Sequence, residues 1–125
     1  MVNQEEFELK LRFMRILWTN GYFVRHEVPI FNPNYSTEIQ DITDIDVFGI
    51  KLDYTFSREL TFCECKTGKN ISAYEIIFWL SGIKNHFNAH EAYFVKTDLN
   101  EEKYIDIAES AGVIPLSLNG LIKLE

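Results

Sequence analysis

"TDIDVFGI" (residues 43–50) and "TFCECKTGK" (residues 61–69) place charged residues at intervals along two short segments that otherwise read as buried strand. Both are rich in β-branched and aromatic residues, so they read as strands over Ile45–Leu52 and Leu60–Lys66, with "DYTFSRE" as the hairpin connection. An ionised group in a sheet interior costs several kcal/mol unless it is paired or binds a metal. Asp44, Asp46, Glu64 and Lys66 therefore need a use. Side chains alternate faces along a strand, which sends Asp44 with Asp46 and Glu64 with Lys66, and turns Cys63 and Cys65 the other way, into the core. If the two strands pair, three carboxylates and one ammonium converge.

The flanking sequence supplies the rest of an α/β order. From Gln4 to Asn20 apolar residues recur at Phe7, Leu11, Met14 and Trp18, with Leu9, Phe13, Ile16 and Leu17 beside them, and the pattern ends at Gly21; this is a helix. "YFVRHEV" follows as a strand, closed by Pro29 and a loop, "FNPNYSTE". After Lys66, Ser72 and Glu75 form a capping box and Ile71 with Ile76 a hydrophobic staple, so a second helix starts after Ser72. Ile76, Leu80, Ile83 and Phe87 form its core stripe, and Ile77, Phe78 and Trp79 widen the apolar surface beyond one face, as expected of a sandwiched helix or a subunit contact. "EAYFVKT" is a fourth strand, residues 101–111 a third helix ending at Gly112, and "VIPLS" a short final strand. Strands two and three are close enough for an antiparallel hairpin, and the later βαβ passages require parallel crossovers. The expected fold is α/β, a mixed sheet flanked by helices, with the 125 residues forming one domain.

Composition limits the function. Apolar residues make up 46% and charged residues 25%, an ordinary globular balance. The longest apolar run, "IIFWL", is too short to span a bilayer, and "MVNQEEFELK" lacks the pattern of a signal peptide, so a cytoplasmic protein without membrane association is expected. The net charge of −7 is unlike the basic footprint of most nucleic-acid proteins. Its distribution matters more. Residues 31–55 hold five acids and one base and residues 97–125 six and two, whereas residues 56–96 hold five bases and four acids. A divalent cation could offset the acid leading into Asp46.

Hard oxygen ligands with an adjacent lysine suit Mg²⁺ or Mn²⁺, with the ammonium orienting or helping to deprotonate an attacking water. That chemistry fits phosphodiester hydrolysis. Asp46 in "TDIDVFGI" with Glu64 and Lys66 in "ECK" resembles the signature of the PD-(D/E)xK nuclease superfamily, in the form found in its resolvase-like and CRISPR-effector-like branches. The resemblance covers nearly the whole chain, since the family's core order, α-β-β-β-α-β, is similar to the order read here. It implies a restriction-endonuclease-like fold, with Asp46, Glu64 and the backbone carbonyl of Cys65 as metal ligands and Lys66 positioning the water. A glutamate on the first helix also holds metal in many members; Glu8 in "FELKLRF" is the candidate and Glu6 its competitor. The proline of the signature is replaced by Ile45, and no Gln-x-x-x-Tyr motif follows, which argues against the helicase-associated branch. The implied activity is a metal-dependent nuclease, with DNA the expected substrate and RNA the alternative.

Each residue also has a plainer reading. Asp46, Glu64 and Lys66 could be a structural ion-pair network, and Asp44 is better read as a cap or supporting group. Acidic residues favour the first turn of any helix, which weakens the case for Glu8. Cys63 and Cys65 with His26, His86 or His90 invite a zinc site, but same-face thiols on a buried strand are more often core. Lys69, Lys84, His86 and His90 could meet phosphates and Tyr35 could stack on a base. The alternative function is a catalytically silent nuclease-fold module that binds a protein or nucleic acid. No nucleotide-binding motif supports a small-molecule phosphohydrolase. An acidic chain has little counterion release to offer DNA, so a homodimer, or a partner subunit supplying basic surface, is expected, with the wide apolar face of the second helix as the junction.

Overall fold

The computed structural model describes residues 3–32, 40–68 and 71–125. Its elements run α1 (Gln4–Thr19), β1 (Phe23–Asn32), β2 (Gln40–Leu52), β3 (Arg58–Lys66), α2 (Ala73–Phe87), β4 (Glu91–Lys96), α3 (Glu101–Ala111), β5 (Ile114–Leu116) and α4 (Leu118–Leu124). The five strands form one sheet in the order β1-β2-β3-β4-β5. β1, β2 and β3 are antiparallel neighbours, and β4 and β5 add in parallel through the helical crossovers. The fold is thus α/β with a mixed sheet flanked by helices, in the element order read from the sequence plus a final helix.

Polar side chains set the helix starts. Asn3, Ser72, Asn100 and Ser117 each accept a hydrogen bond from a backbone N–H of the first turn, meeting donors that the helix itself leaves free. The third helix ends as expected at Gly112, whose φ of 77° is readily available only to glycine. Helix α4 is the element absent from the sequence reading, because seven residues with an internal Gly120 show little periodicity. Its Leu121 is wholly buried.

The two faces of the sheet have separate cores. On one, Leu9, Phe13 and Leu17 of α1 and Leu121 of α4 pack on Val47, Cys63, Cys65 and Val95. On the other, Ala73, Ile77 and Leu80 of α2 and Ala108 of α3 cover Ala92 and Phe94. Each fully buried Leu, Ile or Phe contributes roughly 1.5–3 kcal/mol. Both helix stripes are rotated from the expected ones. In α1 Trp18 is 66% exposed, and in α2 Phe78 is 58% and Phe87 37% exposed, while Ile77 is buried. The second helix is therefore not sandwiched; the sheet lies under one side of it only. Strand β1 also continues through Pro29 to Asn32, which is possible because β1 is an edge strand and can lack one N–H.

Alternation fails at one place, and it fails in both neighbouring strands. His26 meets the Phe7 ring and Glu27 binds Lys10, so two successive residues of β1 face α1. Opposite them, Asp46 reaches Lys10 and Val47 joins the α1 core, so two successive residues of β2 do the same. Beyond this point Ile30 and Ile45 pack together on the other face. The register, with His26 opposite Val47 and Val28 opposite Ile45, puts Glu27 across from Asp46. Glu27 has φ 52°, a left-handed conformation that costs a non-glycine residue about 1–2 kcal/mol. That turn of the backbone aims two acids at the first helix.

Candidate functional site

The ladder between β2 and β3 runs from Leu52 opposite Arg58 to Val47 opposite Cys63. Past it the strands part: β2 stays with β1, and β3 stays with β4 as far as Lys66 opposite Lys96. Side chains take over the hydrogen bonding in this fork. The N–H of Cys65 donates to Asp46 Oδ2 at 2.9 Å, and the N–H of Asp46 donates to Glu64 Oε1 at 3.1 Å. Both carboxylates are buried, Asp46 at 8% and Glu64 at 5% exposure. Their strand ends are held apart by different neighbours, which leaves the two carboxylates to meet in the gap.

Lys66 Nζ lies 3.6 Å from Glu64 Oε2, and Lys10 Nζ 3.5 Å from Asp46 Oδ1. Lys10 also pairs with Glu27. Burial works against the Lys10 charge, but the hydrogen bond with Glu27 and the negative charges of Asp46, Glu27 and Glu6 outweigh it and raise its pKa. Glu64 is the strongly perturbed carboxyl. Burial first, then the charge of Asp46, push it up to about 8, with Lys66 pulling the other way. A buried carboxyl raised by burial and by a second carboxylate is a candidate for functional chemistry, since a cation or a proton there would relieve the repulsion.

The sequence-derived residues divide cleanly. Asp46, Glu64 and Lys66 come together, and the main chain of Cys65 lies between the last two, already bonded to Asp46 through its N–H. Asp44 is exposed. Glu8 is exposed as well and lies two residues from Lys10, on the opposite side of the buried Leu9 stripe. Glu6 lies one turn before Lys10, and its charge helps to raise the pKa of that lysine. Cys63 and Cys65 are fully buried in the α1 core with sulfurs 3.7 Å apart, and burial raises the Cys63 thiol well above its usual range. Lys84 is turned away to the carbonyl of Gly112 at 3.1 Å. His90 accepts from the N–H of Leu60, and His86 packs on Phe87. Tyr35 and Lys69 lie outside the described residues. Lys10 and Glu27 were missed, because a lysine on an amphipathic helix and a glutamate in an edge strand both read as solvated surface.

Among the described residues, no three His, Cys, Asp or Glu side chains are grouped to hold a metal ion. The donors in the fork are two carboxylates and the adjoining main chain. That set suits Mg²⁺ or Mn²⁺, which take one or two carboxylates and leave the remaining positions to water and substrate oxygens. It does not suit a soft metal.

Neither a protein-family model nor a curated protein matches this chain. A solved structure does: the crystal structure of a protein of unknown function, AF1548, superposes with a TM-score of 0.59 at 16% sequence identity, over 94% of this chain and 65% of that one. This chain therefore spans a little under two thirds of its structural neighbour. At that identity the likeness is one of fold.

Proposed function

We propose that this protein is a divalent-metal-dependent nuclease of the PD-(D/E)xK type, with a restriction-endonuclease-like fold and DNA as the expected substrate, RNA being the alternative. One observation carries the reading: Asp46 and Glu64 meet, buried, in the fork where β2 leaves β3, with Lys66 beside Glu64. Asp46, Glu64 and the Cys65 carbonyl would hold Mg²⁺ or Mn²⁺, and Glu6 is better placed than Glu8 to support them from α1. The ion, when bound, neutralises charge on the phosphodiester and favours ionised water. Lys66 orients the attacking water and stabilises negative charge that develops on the phosphate oxygens. The N–H of Cys65 fixes the Asp46 rotamer, and the fork keeps bulk solvent from the two carboxylates.

The acidic balance bears on partners. With a net charge of −7, the chain can release few counterions from DNA by itself. A second copy, or a subunit with a basic surface, would supply the missing affinity; Tyr74 and Phe78, 41% and 58% exposed on α2, form the apolar surface available to cover. Light scattering together with a salt titration checks this, and a strict monomer holding DNA at nanomolar affinity in moderate salt without metal contradicts it.

The ion pair from Lys10 to Asp46 favours a second reading, a catalytically silent module in which the lysine permanently replaces the metal. One assay separates the two. Single-stranded, double-stranded and branched substrates are incubated with Mg²⁺, Mn²⁺ or chelator. Metal-dependent cleavage that is lost in Asp46→Asn supports the nuclease, and metal-independent persistence of every substrate supports the silent module.

A further inference from the structure

Lys10 is a mostly buried base paired with a carboxylate of the fork. Its side chain is only 14% exposed, its Nζ lies 3.5 Å from Asp46 Oδ1, and it touches Glu27 on its other side. Glu27 is 45% exposed at its side chain and is held there by a left-handed backbone, φ 52°, in the middle of an edge strand. Backbone strain of this kind persists only where the surrounding structure over-determines it. The lysine thus sits between two acids: one in the fork and one at its outer edge.

We propose that Lys10 is a tethered counter-cation that competes with the divalent ion for Asp46, and that Glu27 is the seat to which it withdraws when the ion enters. The inference rests on the nuclease reading of the same fork. Without metal, two buried carboxylates would repel each other, and Lys10 supplies the positive charge that faces Asp46 across the 3.5 Å ion pair. A divalent ion at Asp46 would repel an ammonium a few ångströms away, so occupancy of one disfavours the other. Glu27 resolves the conflict. It already binds Lys10, and because it is partly exposed it can keep the lysine at the outer edge of the fork with little rearrangement. Lys10 is in this sense a positioning residue: it sets how tightly metal is held and touches no substrate.

The consequences have opposite signs at the two residues, which a merely structural pair would not show. Calorimetric titration of the full chain with Mn²⁺ is the test, with circular dichroism to verify folding. Lys10→Met, which keeps the aliphatic stem, removes the competitor, and Mn²⁺ should bind several-fold more tightly. Glu27→Gln removes the seat, keeps Lys10 on Asp46, and should weaken Mn²⁺ several-fold. In the Lys10→Met background Glu27→Gln should have no further effect, since there is no lysine left to seat. Weaker or unchanged binding in folded Lys10→Met overturns the proposal. So does a Glu27→Gln effect that survives in the double variant, which would make Glu27 a ligand. If Lys10→Met fails to fold, Lys10→Gln takes its place in the single and the double variant, and unchanged Mn²⁺ binding in Glu27→Gln alone also overturns the proposal. The underlying reading fails separately: it is lost if wild type binds Mn²⁺ no better than Asp46→Asn.

Discussion

The β2–β3 hairpin has a carboxylate receiving backbone N–H groups at each end, and the two ends behave in opposite ways. At the closed end Asp53 Oδ1 accepts from the N–H of Thr55 at 2.8 Å and of Ser57 at 3.0 Å, and from the Thr55 hydroxyl. These bonds lower its pKa, the Thr55 hydroxyl foremost. At the open end Asp46 and Glu64 accept from Cys65 and Asp46, yet Glu64 rises to about 8. Donated hydrogen bonds favour a carboxylate in both places. What differs is that the tip is in water and has no acidic neighbour so close, whereas the fork removes water and sets one carboxylate against another. The tip is a turn built by its carboxylate; the fork is a pair of carboxylates held in tension by the sheet.

The largest expected effect breaks this contrast on activity. Asp46→Asn keeps an oxygen for the Cys65 N–H and should fold, and Lys66→Ala removes only a half-exposed side chain, yet each should lower metal-dependent cleavage by at least about 100-fold. Asp53→Asn at the other end should leave cleavage unchanged. Undiminished turnover in either fork variant, measured on purified folded protein, would remove the catalytic assignment.

Stability against pH sharpens the comparison next. A carboxyl raised from 4.5 to about 8 binds its proton more tightly in the folded chain than in the unfolded one. In metal-free buffer its contribution is therefore fully present below pH 4.5, and stability falls as pH rises through 8. Asp53 has the reverse sign, stabilising at higher pH and losing that contribution as pH falls below the ordinary carboxylate range. Urea unfolding of wild type and Glu64→Gln between pH 5 and 9 tests this: the variant should lose most of the decline, and equal slopes would show that Glu64 is not the group responsible. Added Mg²⁺ should reverse the trend at pH 8 by favouring the ionised pair.

How much of this was legible differs between the two ends as well. Asp46, Glu64 and Lys66 could be picked out because charge in a strand is anomalous whatever its partner, and the caps at Ser72 and Gly112 are local signals. Lys10 and Glu27 could not. Their meaning arises where β1 and β2 both turn consecutive residues toward α1, and a left-handed glutamate leaves no mark in sequence as a glycine would. The helix stripes were legible in period but not in phase, because Phe7, Leu11, Phe78 and Trp79 are apolar enough to stand for core beside the residues that are. The cysteines were read correctly as core residues. A folded Cys63→Ser, Cys65→Ala double variant should accordingly be less stable but keep Mg²⁺-dependent cleavage, as activity and thermal unfolding together would register.

The smallest effect concerns strain, which both ends also share. Phe56 at the tip has φ 64° and Glu27 beside the fork φ 52°. Phe56 is 82% exposed, so its side chain adds little packing to set against the conformation it is forced to adopt. Phe56→Gly removes about 1–2 kcal/mol of left-handed strain and adds about 0.5–1 kcal/mol of unfolded-chain entropy, for a net gain between zero and about 1.5 kcal/mol. Urea unfolding should therefore show Phe56→Gly equal to or slightly more stable than wild type, with cleavage unaltered. At Glu27 the same relief of strain would remove the carboxylate that holds Lys10, so Glu27→Gly should leave stability near that of wild type and change Mn²⁺ affinity instead. A clear loss of stability in Phe56→Gly would mean that the ring, and not the Asp53 hydrogen bonds, holds the tip in shape.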